Sequence, residues 1–166
     1  MNAAVAGVDQ QAVAGAADWL NAFASALVRG DEGAVAACFV EDSHWRDLLA
    51  FEWRLRTTSG AARIARRMHS AVVRAAPRGF LLAPGRTPPR RVERIGRNVI
   101  EAILAFDTAV GPAEGVIRLV DDGGRLKAWT LLTALDQIRG HEESIDAYRP
   151  RGEVYSRDFH GPNWLD

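Results

Sequence analysis

What most constrains this chain is the order of its two periodicities: helical spacing fills the first half, and strand-like runs fill the stretch from Arg91 to Ile138. From Val13 to Leu27, apolar residues at Val13, Ala17, Leu20, Ala24 and Leu27 share one stripe, which Gly30-Asp31 then breaks. Asp31 is placed to cap a short second helix over Glu32 to Phe39, because its carboxylate can accept the free amide protons of the first turn. A β-like segment follows from Ser43 to Leu49. Ser59-Gly60 then opens a third helix reaching about Ala75, with Ile64, Met68 and Val72 on one face and Arg63, Arg66, Arg67 and Arg74 on the others. Those arginines read as a solvated face, with a phosphate or partner site as the alternative.

After Pro88-Pro89 come four runs rich in β-branched and apolar residues: Arg91 to Ile95, Val99 to Val110, Gly115 to Asp121 and Leu126 to Ile138. Asn98 and Asp121-Asp122-Gly123-Gly124 supply turn chemistry between them. Helices first and antiparallel strands afterwards predict an α+β domain, with helices packed on one face of a curved sheet. At 166 residues and 48% hydrophobic content, one domain can bury a core without disulfides or metals. That domain is expected over 1–140. An irregular tail over 141–166, carrying Tyr148, Tyr155, Phe159 and Trp164, is too aromatic for plain disorder and is expected to dock.

The 21 basic and 21 acidic residues cancel, so no global field draws in nucleic acid or anionic lipid. A small molecule or a protein is the expected partner. Cys38 is the only cysteine, which excludes an intrachain disulfide and fits a reducing cytoplasm; in the run Ala36-Ala37-Cys38-Phe39-Val40 it reads as a buried, inert thiol. Met1 to Ala17 has neither a basic leader nor an unbroken apolar stretch, so no signal peptide or membrane span is expected. With four histidines and no His-x-His or His-x-x-x-His spacing, no metal site is expected.

Gly30-Asp31, the segment Phe39-Val40-Glu41-Asp42-Ser43-His44-Trp45-Arg46-Asp47 and the helix-opening Ser59-Gly60 together resemble the nuclear-transport-factor-2-like superfamily. Four further strings are more specifically similar to the N-terminal SnoaL-like module of bacterial flavin-dependent monooxygenase-like oxidoreductases. They are Trp45-Arg46-Asp47-Leu48-Leu49-Ala50-Phe51, Lys127-Ala128-Trp129-Thr130-Leu131-Leu132-Thr133-Ala134-Leu135-Asp136, Gly140-His141-Glu142-Glu143 and Asn163-Trp164-Leu165-Asp166. The resemblance implies a cone-shaped, curved antiparallel sheet with about three helices on it. In that family the chain continues into a dinucleotide-binding domain. No Gly-x-Gly-x-x-Gly occurs here, so no FAD or NADPH binding and no other cofactor is expected, and the chain reads as a free-standing relative or an isolated domain of a longer product.

In the ketosteroid-isomerase-like members of the superfamily, the catalytic carboxylate follows shortly after an acidic pair, the position that Asp47 holds here. On a strand, Trp45 and Asp47 share one face while His44 and Arg46 share the other. A carboxylate beside an indole in a closed cone would be desolvated, its pKa would rise, and it would suit general acid or base work near neutral pH. The alternative is that Asp47 pairs with an arginine or caps a turn. The other carry-overs stop short: Val116 and Ala22 stand where the isomerases place an oxyanion-holding Asp and a tyrosine, and Val120 stands where epoxide-hydrolase-like members place an Asp.

Arg118, if inward, would bind a substrate carboxylate or pair with Asp47; if outward, it would meet Glu101 or Asp107. His44 and His69 are candidate proton shuttles. Trp129, Leu131 and Thr133 alternate on the last long run, and with Trp45, Trp53 and Phe106 they are candidate walls of an aromatic pocket, with plain core as the alternative. Two functions compete. One is an isomerase, cyclase, dehydratase or hydrolase acting on an apolar cyclic or polyketide-like metabolite through Asp47. The other is a non-catalytic module that forms a homodimer or docks on a flavoprotein partner.

Overall fold

A computed structural model describes residues 8–143; the aromatic tail residues Tyr148, Tyr155, Phe159 and Trp164 lie outside them. The elements run α1 (Gln10–Arg29), α2 (Glu32–Ala37), β1 (Phe39–Leu48), β2 (Arg56–Ser59), α3 (Ala61–Ala75), β3 (Arg78–Leu82), β4 (Arg90–Arg94), β5 (Arg97–Asp107), β6 (Pro112–Asp121) and β7 (Leu126–Leu135). The expected α+β cone is present, three helices on a large, curved, unclosed sheet of seven strands in the order β2-β1-β7-β6-β5-β3, with β4 also on β5. β5, β6 and β7 form an antiparallel meander, and β1 joins β7 in parallel, so the sheet is mixed.

Capping explains the helix ends. The Asp9 carboxylate accepts from the Ala12 amide at 2.9 Å at the start of α1, and Gly30 closes it in the left-handed region at φ 64°. Asp31 caps α2 as expected, accepting from the Ala34 amide at 2.9 Å. The buried face of α1 is rotated from the expected stripe: Ala12, Ala16, Trp19, Leu20, Phe23, Ala26 and Leu27 go in, because Trp19 and Phe23 carry the largest apolar surface.

β3 and β4 share one flank of the long β5, β3 against its C-terminal half and β4 against its N-terminal half. Between them lie Pro88 and Pro89, which have no amide proton to give a ladder and so break the edge strand in two. The concave face is filled by a run of ring contacts from Trp19 to Phe23, Phe80, Phe106, Phe51 and Trp45, at centroid distances of 4.9, 5.7, 4.7, 6.0 and 5.3 Å. Among the described residues no helix is long and apolar enough to cross a membrane.

Candidate functional site

β1 alternates as its sequence requires, with Ser43, Trp45 and Asp47 buried on the concave face and His44 and Arg46 exposed outside. Asp47 ends the buried row. Two residues on, Leu49 takes φ 68°, a conformation that costs a branched side chain steric strain. The turn brings the next amides back onto the Asp47 carboxylate: Phe51 N–H donates at 3.2 and 3.1 Å to its two oxygens, and Glu52 N–H at 3.0 Å to Oδ2. Asp47 pairs in register with Thr133 of β7, whose hydroxyl donates to Oδ1 at 2.7 Å and accepts from Trp45 Nε1 at 2.9 Å.

The result is a closed polar cluster inside an aromatic core. Asp47 and Trp45 are 0% exposed and Thr133 1%, so no water-sized space touches them. Burial pushes the Asp47 carboxyl above its usual range; the Thr133 hydroxyl, the Glu52 and Phe51 amides and the Arg67 charge pull it back in part. Arg67, from α3, covers the cluster: its guanidinium lies 4.7 Å over the Trp45 ring, donates to Glu52 Oε2 from Nε and Nη2 at 2.9 and 2.8 Å, and reaches Thr58 Oγ1 at 2.6 Å.

Of the residues singled out in the sequence, the fold gathers Trp45, Asp47 and Thr133, with Leu131 and Phe106 in the adjoining core. It leaves the rest elsewhere. His44 is exposed on the outer face, its Nδ1 2.7 Å from Ser59 Oγ. Arg118 points outward, since Ile117 and Leu119 take the inner positions of β6, and its Nε donates to Glu101 Oε2 at 2.9 Å. That outward pairing replaces a contact with Asp47. His69 is exposed on α3, beside Gly30. Trp53 is 60% exposed in the loop after β1.

Trp129 does not share a face with Leu131 and Thr133. The ladder shifts between Arg118 and Leu119, so that Thr130 and Ala128 have partners on β6 and Trp129 has none. This bulge buries Ala128 and turns Trp129 outward under Arg97, whose guanidinium lies 4.7 Å from its ring. Arg67, grouped in the sequence with a solvated helix face, is the contact to this cluster that the sequence did not reveal. Nothing local marks it, because its partners are 9 to 22 residues away in the chain.

No family model matches the chain, and no curated protein matches it. Solved structures do. A candidate aromatic ring hydroxylase from Novosphingobium aromaticivorans is 16% identical, with TM-score 0.54, over 79% of this chain and 93% of that one. An NTF2-like protein with a cystatin-like fold from the same organism is 14% identical, with TM-score 0.51, over 80% and 87% of the two chains. A domain of unknown function with a cystatin-like fold from Nostoc punctiforme is 12% identical, with TM-score 0.54, over 76% and 78%. At these identities the likeness is one of fold: the chain has the nuclear-transport-factor-2-like, cystatin-like α+β fold.

Proposed function

We propose that this chain is a non-catalytic module that works by pairing with a second copy of itself through the outer face of its sheet. The observation that carries this reading is the state of Asp47, which is completely buried, holds three hydrogen-bond donors and borders no space for a substrate. A general base must come within hydrogen-bond reach of the proton it takes. The rival reading, Asp47 as acid or base toward an apolar cyclic metabolite, is favoured by the same burial, which raises its pKa, and requires the cluster to open. The sequence strings that resemble the N-terminal module of flavoproteins support a pairing role, and a flavoprotein would be a further partner.

The outer face has the pattern an isologous interface needs. Ile103, Val116 and Leu132 are neighbours across β5, β6 and β7, forming a half-buried apolar row that continues to Arg46 on β1. On β6 this row is flanked by Glu114 on one side and Arg118 on the other, both facing outward. A two-fold axis in the interface plane, crossing β6 at right angles at Val116, lays Glu114 of one protomer over Arg118 of its partner. It also lays Val116 against its own copy. Val116→Asp therefore sets two carboxylates face to face in an apolar row and is expected to halve the mass measured by light scattering, with the melt preserved. An unchanged mass for this variant argues against the face, and a monomeric parent chain argues against the pairing role.

A further inference from the structure

The loop that Asp47 holds in place carries Trp53, Arg54 and Leu55 outward, with the Trp53 indole 60% and Leu55 64% exposed. Trp53 and Arg54, with Glu52, Arg56 on β2 and Arg74 on α3, line a cavity of about 350 Å³. Arg67 and Arg74 are two helical turns apart on α3, Arg67 bonded to Glu52 and Arg74 lining the cavity.

The charges in this cavity do not balance. Many arginines elsewhere on the described surface sit on carboxylates, among them Arg78 and Arg139 on Asp107, Arg90, Arg94 and Arg118 on Glu101, Arg91 on Asp9 and Arg97 on Asp42, while Arg29, Arg46, Arg63 and Arg125 are in no ion pair. Glu52, the one acid lining the cavity, is already taken by Arg67. Among the described residues, Arg54, Arg56 and Arg74 are in no ion pair, and the fold brings all three together beside an exposed indole. Three guanidinium groups in one concavity repel one another, and an anion relieves that repulsion. A guanidinium also offers the planar, forked donors that match an oxyanion, and an indole face offers a stacking surface.

We infer that the cavity bounded by Trp53, Arg54, Arg56 and Arg74 is a binding site for a small oxyanion, carboxylate or phosphate, carried on a flat ring, with the arginines holding the charged group and Trp53 the ring. The site is separate from the outer sheet face and does not depend on the pairing proposed above. Asp47 is its positioning residue, because the carboxylate that accepts the Phe51 and Glu52 amides sets the direction in which the loop leaves β1.

The test uses the full chain labelled with 15N, whose five tryptophans give five indole N–H signals; the Trp53 signal is the one lost in Trp53→Phe. Phenyl phosphate, benzoate and inorganic phosphate are titrated separately, at ionic strength held constant with sodium chloride. The site predicts a saturable shift of the Trp53 signal with phenyl phosphate or benzoate, and the tighter of the two names the charged group. Arg56→Gln combined with Arg74→Gln is expected to weaken it by about tenfold or more at an unchanged melting temperature. A shift that is linear in concentration, is matched by chloride, or survives the double substitution overturns the site. Inorganic phosphate binding as tightly as phenyl phosphate overturns the stacking role of Trp53.

Discussion

A carboxylate with no water beside it must be satisfied by protein donors, and Asp47 has them in the Thr133 hydroxyl and two backbone amides. Asp47→Asn keeps the volume but removes the charge that the Phe51 and Glu52 amides face, and it leaves one acceptor oxygen where there were two, with the Thr133 hydroxyl having to turn to accept from the new amide nitrogen. We expect a loss of about 2 kcal/mol in denaturant unfolding, and a melt equal to the parent's would remove the carboxylate from its structural role. The ionisable residues have opposite signs. The folded state raises the Asp47 pKa and so holds its proton more readily than the unfolded chain; this group favours folding in acid and loses that contribution as pH climbs above 3.8. Glu101 is the reverse case: the Arg94 and Arg118 bonds outweigh its burial and hold it at about 2 against an ordinary 4.5, so its contribution is present above 4.5 and is lost as pH falls toward 2. Glu101→Gln is expected to flatten the melting temperature between those two pH values, and a slope identical to the parent's would show that the cluster contributes nothing there.

Elements were legible in the sequence where a long period stated their buried face. β1 is the best case: the alternation that places Trp45 and Asp47 together is written in its residues, and the structure keeps it. β7 fails the same rule after one residue, since an unpaired Trp129 resets the alternation and nothing in Lys127-Ala128-Trp129-Thr130 marks a bulge. β2 and β3 were not expected, being four and five residues long, with most of their positions exposed and no repeat of buried residues to read. Backbone closeness is another property hidden from the sequence. At Gly115, on the concave side of β6, a Cβ would stand 2.5 Å from the Leu132 carbonyl oxygen and 3.0 Å from Leu104. Gly115→Ala therefore forces β6 and β7 apart, and a loss of about 2 kcal/mol in urea unfolding is expected. A neutral result would mean that the ladder shifts freely at this point.

For the molecule as a whole, the interior is spent on packing. A row of rings from Trp19 to Trp45 fills the cone that relatives of this fold could use as a chamber, and the carboxylate at its end is sealed by Arg67. The proposed pairing role uses the outer surface, where the apolar row Ile103, Val116 and Leu132 lies between Glu114 and Arg118. The sequence showed the fold class through the order of its periodicities, but it did not show how fully the concave side is packed, because that depends on which rings meet across distant elements. Sedimentation equilibrium of the parent chain at micromolar concentrations tests the account most directly. A mass of twice 18.1 kDa is predicted across the range, and a single species of 18.1 kDa would contradict it.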